Sequence, residues 1–148
     1  MKKEYQSIMK NEVWDVVPKL ECKYVVSSKW TYKIKHATDG SIEKYKARFV
    51  AREFFQKEGI DYEETFAPVA RYTSIRTIIS LDSMMKWDLH QMDVKTTFLN
   101  GLIEEEVYIK KPQGFEVEDI VTHVCKLKKD QYGLKQAPRA WYGRIDSS

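Results

Sequence analysis

Lys29-Trp30-Thr31-Tyr32-Lys33-Ile34-Lys35-His36 and, a short polar interval later, Lys44-Tyr45-Lys46-Ala47-Arg48-Phe49-Val50-Ala51 decide how this sequence folds. In the first run Trp30, Tyr32 and Ile34 alternate with Lys29, Thr31, Lys33 and Lys35, the period of two that marks a half-buried strand. In the second, Tyr45, Ala47, Phe49 and Ala51 alternate with Lys44, Lys46, Arg48 and Val50. Asp39-Gly40 supplies turn chemistry between them, in a loop somewhat longer than a minimal hairpin. If both apolar faces lie on the core, six cations line the other face: Lys29, Lys33, Lys35, Lys44, Lys46 and Arg48.

The charge is concentrated there. Residues 29–52 hold seven cations against Asp39 and Glu43, a sum of +5, so the rest of this +3 chain sums to −2. A row of Lys and Arg with aromatics nearby suits phosphates and stacked bases. A solvated outer face that keeps a sheet soluble has the same pattern.

At 148 residues the chain fits a single domain with a real core. Four Trp, nine Tyr and six Phe supply enough apolar area to exclude disorder as the expected state. No stretch approaches the run of about 20 apolar residues that a membrane span needs. Met1-Lys2-Lys3-Glu4-Tyr5 is charged from the start, unlike a signal peptide. Cys22 and Cys125 have neither the number nor the spacing of a disulfide framework or zinc site, so reduced thiols in an intracellular protein are expected.

Working outward from the hairpin, Tyr5, Ile8, Met9 and Glu12 predict a short helix within 2–13, and Trp14 to Val17 a strand closed by Pro18. Downstream, Ser74 can cap a helix to about Trp87 with Ile75, Ile78, Ile79, Leu81 and Met85 on its buried side. Asp82 sits at the edge of that stripe. Strands are predicted at Leu89–Val94, at Glu104–Ile109 and across 121–127. Pro138 reads as the first residue of a last helix carrying Trp141 and Ile145. The order of elements makes the fold α+β.

Three segments carry candidate chemistry. Asp93, at the end of a predicted strand, suits Mg²⁺, which favours one or two carboxylates plus phosphate oxygens. A strand-end Asp also commonly satisfies turn amides. His90 nearby reads better as a surface residue, and Glu104-Glu105-Glu106 as a solvated edge. Gln136, just before a helix start, could meet a nucleotide or cap the helix, and composition does not separate the two.

Four blocks, taken in order, resemble copia-type LTR retrotransposon reverse transcriptases. They are Trp30–Lys35 with Asp39-Gly40 and Tyr45–Arg52, then Gly59–Arg71, His90–Gly101 and Tyr132–Tyr142. The resemblance runs nearly the whole chain. It implies the fingers and partial palm of a right-hand polymerase fold, about 1–88 mainly fingers and 89–148 partial palm with fingers elements. It implies RNA-templated DNA synthesis by two-metal phosphoryl transfer, with Mg²⁺ (or Mn²⁺) as cofactor. RNA template, DNA primer, deoxynucleoside triphosphates and the rest of the Pol polyprotein would be its partners, in a cytoplasmic particle or the nucleus.

Carried across residue by residue, the resemblance gives Asp93 both metals and makes the backbone carbonyl of Val94 a further ligand. Lys46 and Arg48 would clamp the triphosphate. Phe98 would crowd a ribose 2′ hydroxyl, and Gln136 would contact the incoming nucleotide. These residues contain no Asp-Asp dipeptide and so lack the family's Tyr-x-Asp-Asp turn; by the resemblance, thumb and RNase H would be missing too. Glu53 stands where the family usually has Gly, and Asp82 where it has a small apolar residue. The expectation is that these residues alone have no polymerase activity. The alternative is a non-catalytic nucleic-acid-binding remnant using the hairpin, 29–52.

Overall fold

In a computed structural model, which describes residues 1–115 and 122–147, the two alternating runs form one antiparallel hairpin. The elements in order are α1 (Lys2–Lys10), β1 (Trp14–Pro18), β2 (Val25–Val26), β3 (Ser28–His36), β4 (Ile42–Ala51), α2 (Tyr72–Met85), β5 (Tyr108–Ile109), β6 (His123–Leu127) and α3 (Ala137–Asp146). Short 3-10 turns occupy Glu53–Phe55 and Thr97–Asn100. The fold is α+β. β1, β6, β5 and β2 lie side by side in a small sheet, antiparallel except for β5 and β2, and β3 with β4 makes a second sheet.

The register bears out the parity argument. Lys33 lies opposite Lys46, Lys35 opposite Lys44 and Thr31 opposite Arg48, so the six cations share one face. Trp30 lies opposite Phe49 on the other. Asp39 ties the loop together by accepting the Ser41 N–H and hydroxyl, and Gly40 takes the left-handed backbone that turn requires.

Only the root of the hairpin is covered. Phe49 is 1% exposed and packs edge-on to Trp14 at 5.8 Å and against Trp30 at 5.2 Å, whereas Tyr32 is 65% and Tyr45 74% exposed. A ten-residue strand spans about 33 Å, more than the small sheet beside it can cover. The body of the core gathers Ile8, Val26, Leu99, Ile109, Cys125 and Leu127 around Phe49. Burial pushes the Cys125 thiol up to about 12, so it is an inert packing residue, and Cys22 is an exposed free thiol.

The outer edge of β4 is capped. The Gln131 side-chain amide donates to the Phe49 carbonyl at 2.7 Å, and the Ala51 N–H donates to the Tyr132 carbonyl at 2.8 Å. The Glu4 carboxylate, from α1, lies against the Phe49 N–H. An edge with its hydrogen-bonding groups occupied does not recruit a foreign strand.

Several expectations are corrected. Leu89–Val94 forms no strand, and of Glu104–Ile109 only Tyr108–Ile109 does. Val121 lies outside the described residues; the strand there is His123–Leu127. α2 starts at Tyr72 after Arg71, with no side-chain cap from Ser74, and its stripe is not buried: Ile75, Ile78, Ile79, Leu81 and Met85 are all exposed. Asp82 is therefore not a buried charge. Glu53 begins a 3-10 turn outside the left-handed region, so its backbone carries no glycine-type strain.

The contrast between α2 and 89–94 has a physical cause. A helix satisfies its own backbone groups, whereas a strand needs a neighbour to bond with. No partner strand for Leu89–Val94 exists among the described residues.

Candidate nucleotide and nucleic-acid interface

At the hairpin root the cationic face meets the loop that precedes α3. The Arg48 guanidinium carbon lies 4.7 Å from the centroid of the Tyr132 ring, within cation–π range. Tyr132 in turn packs edge-on to Phe98, centroids 5.4 Å apart. Arg48 and Phe98, fifty residues apart and both predicted to meet a nucleotide, are thus joined through one ring. Gly133 makes this possible. Its φ is +85°, and a Cβ there would sit 2.3 Å from the Ala51 carbonyl oxygen.

Lys46 and Arg48 are half-buried and face Glu4. Burial lowers the Lys46 pKa, and Arg48, Lys35 and Lys44 lower it further, while Glu4 opposes them. Burial raises the Glu4 pKa in spite of Arg48 and Lys46 beside it. The root of the cationic face therefore has a local counter-charge. Lys29, Lys33, Lys35 and Lys44 are exposed along the rest.

Gln136 is 3% exposed, and both ends of its side-chain amide are hydrogen-bonded within the protein. It accepts from the Gln56 side chain and donates to the Asp61 carbonyl, both at 2.9 Å. Gln56 also accepts the Lys135 N–H, Asp61 accepts the Lys57 N–H, and Lys135 donates to the Tyr62 hydroxyl. This network, in which every amide group of Gln56 and Gln136 named here is paired, ties the 57–62 loop to the start of α3. Gln136 precedes the helix without capping it through its side chain. The sequence flagged Gln136 but not Gln56, Asp61, Glu4 or Tyr132, whose roles depend on partners distant in sequence that only the fold brings together.

Asp93 is exposed on the irregular stretch before Phe98, and the Val94 carbonyl accepts the Thr97 hydroxyl at 2.8 Å. Thr96, between them, has a left-handed backbone. Among the described residues no three His, Cys, Asp or Glu side chains converge to hold a metal ion. The residues present do not by themselves fit a two-metal centre.

A basic face crossed by an aromatic row, on an α+β frame, is the kind of surface nucleic-acid enzymes present. Residues 11–148 match the family model for reverse transcriptase (RNA-dependent DNA polymerase). The chain belongs to that family, in the branch found in Pol polyproteins of copia-type retrotransposons. It is 47% identical over 147 residues to the retrovirus-related Pol polyprotein from transposon TNT 1-94 of Nicotiana tabacum, covering 99% of this chain and 11% of that protein. It is 43% identical over 143 residues to the Pol polyprotein from transposon RE1 of Arabidopsis thaliana, covering 96% of this chain and 10% of that one. The chain thus spans about a tenth of the length of these relatives. No solved structure matches it.

Proposed function

We propose that these residues are the fingers, about 1–88, and part of the palm, 89–148, of a retrotransposon's RNA-directed DNA polymerase. RNA template, DNA primer and deoxynucleoside triphosphates are its substrates, and nucleotides are added by two-metal phosphoryl transfer. In this reading Lys46 and Arg48 receive the triphosphate and Phe98 crowds the 2′ hydroxyl. Gln136 reaches the nucleotide only by exchanging its bonds to Gln56 and Asp61. Asp93 and the Val94 carbonyl contribute to Mg²⁺ (or Mn²⁺) once further carboxylates join them. The same role puts the protein inside the cell, in a cytoplasmic particle or the nucleus.

The observation that carries the reading is the Arg48–Tyr132–Phe98 row, a phosphate-binding cation and a candidate sugar gate joined across the chain. The exposed stripe of α2 supports it as well: Ile75, Ile78 and Leu81 await cover from the rest of the polyprotein, as do the unpaired residues 89–94.

Primer extension on an RNA template tests this. The 148-residue chain with Mg²⁺ and deoxynucleotides is expected to extend nothing. Continued through a relative's Tyr-x-Asp-Asp turn, it is expected to extend the primer, and Asp93→Asn to abolish that. Extension by the 148 residues alone would overturn the inactivity, and extension that survives Asp93→Asn would overturn the site.

A second reading, a non-catalytic nucleic-acid-binding module, is favoured by one observation. Lys33, Lys35 and Lys44 remain exposed on the cationic face and need no further chain to bind phosphates.

A further inference from the structure

At the free edge of β3, on the side away from Glu4, a cavity of about 350 Å³ opens between the hairpin root and the ends of the four-stranded sheet. Its cations come from three separate parts of the chain, Lys19 after β1, Lys29 on β3, and Lys110 and Lys111 after β5, with the His123 imidazole of β6 beside them. Trp30 and Phe49 form its apolar wall, and among the described residues no carboxylate lines it. None of the four lysines is in an ion pair with the described residues.

The wall is fixed rather than collapsed. The Ser28 hydroxyl donates to the Lys110 carbonyl and the Trp30 indole N–H to the Gln113 carbonyl, each at 3.0 Å. The Lys110 N–H donates to the Val26 carbonyl at 3.1 Å. These bonds hold the 110–113 segment against β3, so the lysines are brought together by backbone geometry and not by chance rotamers. Like charges gathered with no counter-charge among the described residues repel one another, and a bound polyanion relieves that repulsion.

Lys29 also belongs to the cationic face of the hairpin. Lys35, Lys33 and Lys29 therefore form a track of about 20 Å along β3 that ends at the cavity. A linear polyanion can follow such a track, whereas an isolated phosphate gains nothing from it. We propose that this cavity is a phosphate-binding site for a single-stranded nucleic acid, set apart from the Lys46–Arg48 root and continuous with the exposed hairpin lysines.

The proposal takes its ligand class from the nucleic-acid reading above and adds a site to it. The test is the affinity of the 148-residue chain for fluorescent oligo(U), across a range of salt. Lys19→Gln/Lys110→Gln/Lys111→Gln is compared with a hairpin variant, Lys33→Gln/Lys35→Gln/Lys44→Gln, each removing equal charge. Every altered lysine is at least partly exposed, so both variants are expected to fold as the parent does, which thermal melts check.

The cavity variant is expected to bind about tenfold or more weakly, with a salt slope reduced by about 1–2. Backbone amides of Lys110, Lys111 and His123 are expected to shift in NMR spectra on adding oligo(U). A cavity variant that binds as the parent does, while the hairpin variant weakens, overturns this site and leaves the nucleic-acid reading intact. Parent-like binding by both variants overturns both. Amide shifts given equally by uridine monophosphate, with oligo(U) affinity untouched in the cavity variant, make it a site for free nucleotides and overturn the strand proposal.

Discussion

Gly133→Ala is expected to lose about 2–5 kcal/mol of stability, read as a lower urea midpoint. Two costs add. The residue sits at φ +85°, where an L side chain costs about 1–2 kcal/mol. The new Cβ would also lie 2.3 Å from the Ala51 carbonyl oxygen and 2.4 Å from Val50 Cγ1, an overlap that costs about 1–3 kcal/mol to relieve. Moving the loop away breaks the Ala51 N–H bond to Tyr132 and parts Tyr132 from Arg48, so the candidate nucleotide face is lost with the stability. Gly59→Ala is the comparison. Its φ is +76° with nothing within 4 Å, so only the backbone cost of about 1–2 kcal/mol applies. Equal losses for the two variants would show that the close approach at Gly133 does not exist.

Asp130→Asn is expected to flatten the pH dependence of stability. Asp130 is fully buried, and neither carboxylate oxygen has a hydrogen-bond partner among the described residues. Burial pushes its pKa up to about 8, with Glu105 adding to the rise, against about 3.9 in an unfolded chain. A raised carboxylate pKa means that the folded state holds its proton while the unfolded state has lost it. The stability is fully present below about pH 4 and falls as pH rises toward 8, where the folded acid also ionises. The loss is at most on the order of 5 kcal/mol, smaller if the site relaxes or admits water. Urea denaturation at pH 5 and pH 8 measures it: the parent falls by several kcal/mol, and Asp130→Asn, neutral at both, stays nearly level. A parent as level as the variant would mean that Asp130 is solvated in solution. The neighbouring Gln131 has an unpartnered side-chain oxygen as well, so this loop carries polar groups that the core does not repay.

The hairpin was legible because its information is local. Period-two alternation, Asp39-Gly40 and the parity of Lys46 and Arg48 all act within a few residues, and the register follows from them. The limits of α2 were nearly right for the same reason, since helical hydrogen bonds close over four residues. Asp93, Phe98 and Gln136 were located by motif, but their surroundings were not. Nothing near Gln136 in sequence announces that Gln56 and Asp61 take up its amide, and nothing near Arg48 announces Glu4 or Tyr132.

By itself, then, the sequence determined which residues alternate, which face of the hairpin is cationic, and the family to which the chain belongs. The tertiary structure decided what is covered. It buried Phe49 and left Tyr45 in water, it left the apolar stripe of α2 open and 89–94 unpaired, and it drew Lys19, Lys29, Lys110 and Lys111 to one cavity. The reason is that alternation and helix formation follow from neighbours in the chain, whereas burial and charge convergence depend on which distant surface arrives to meet them.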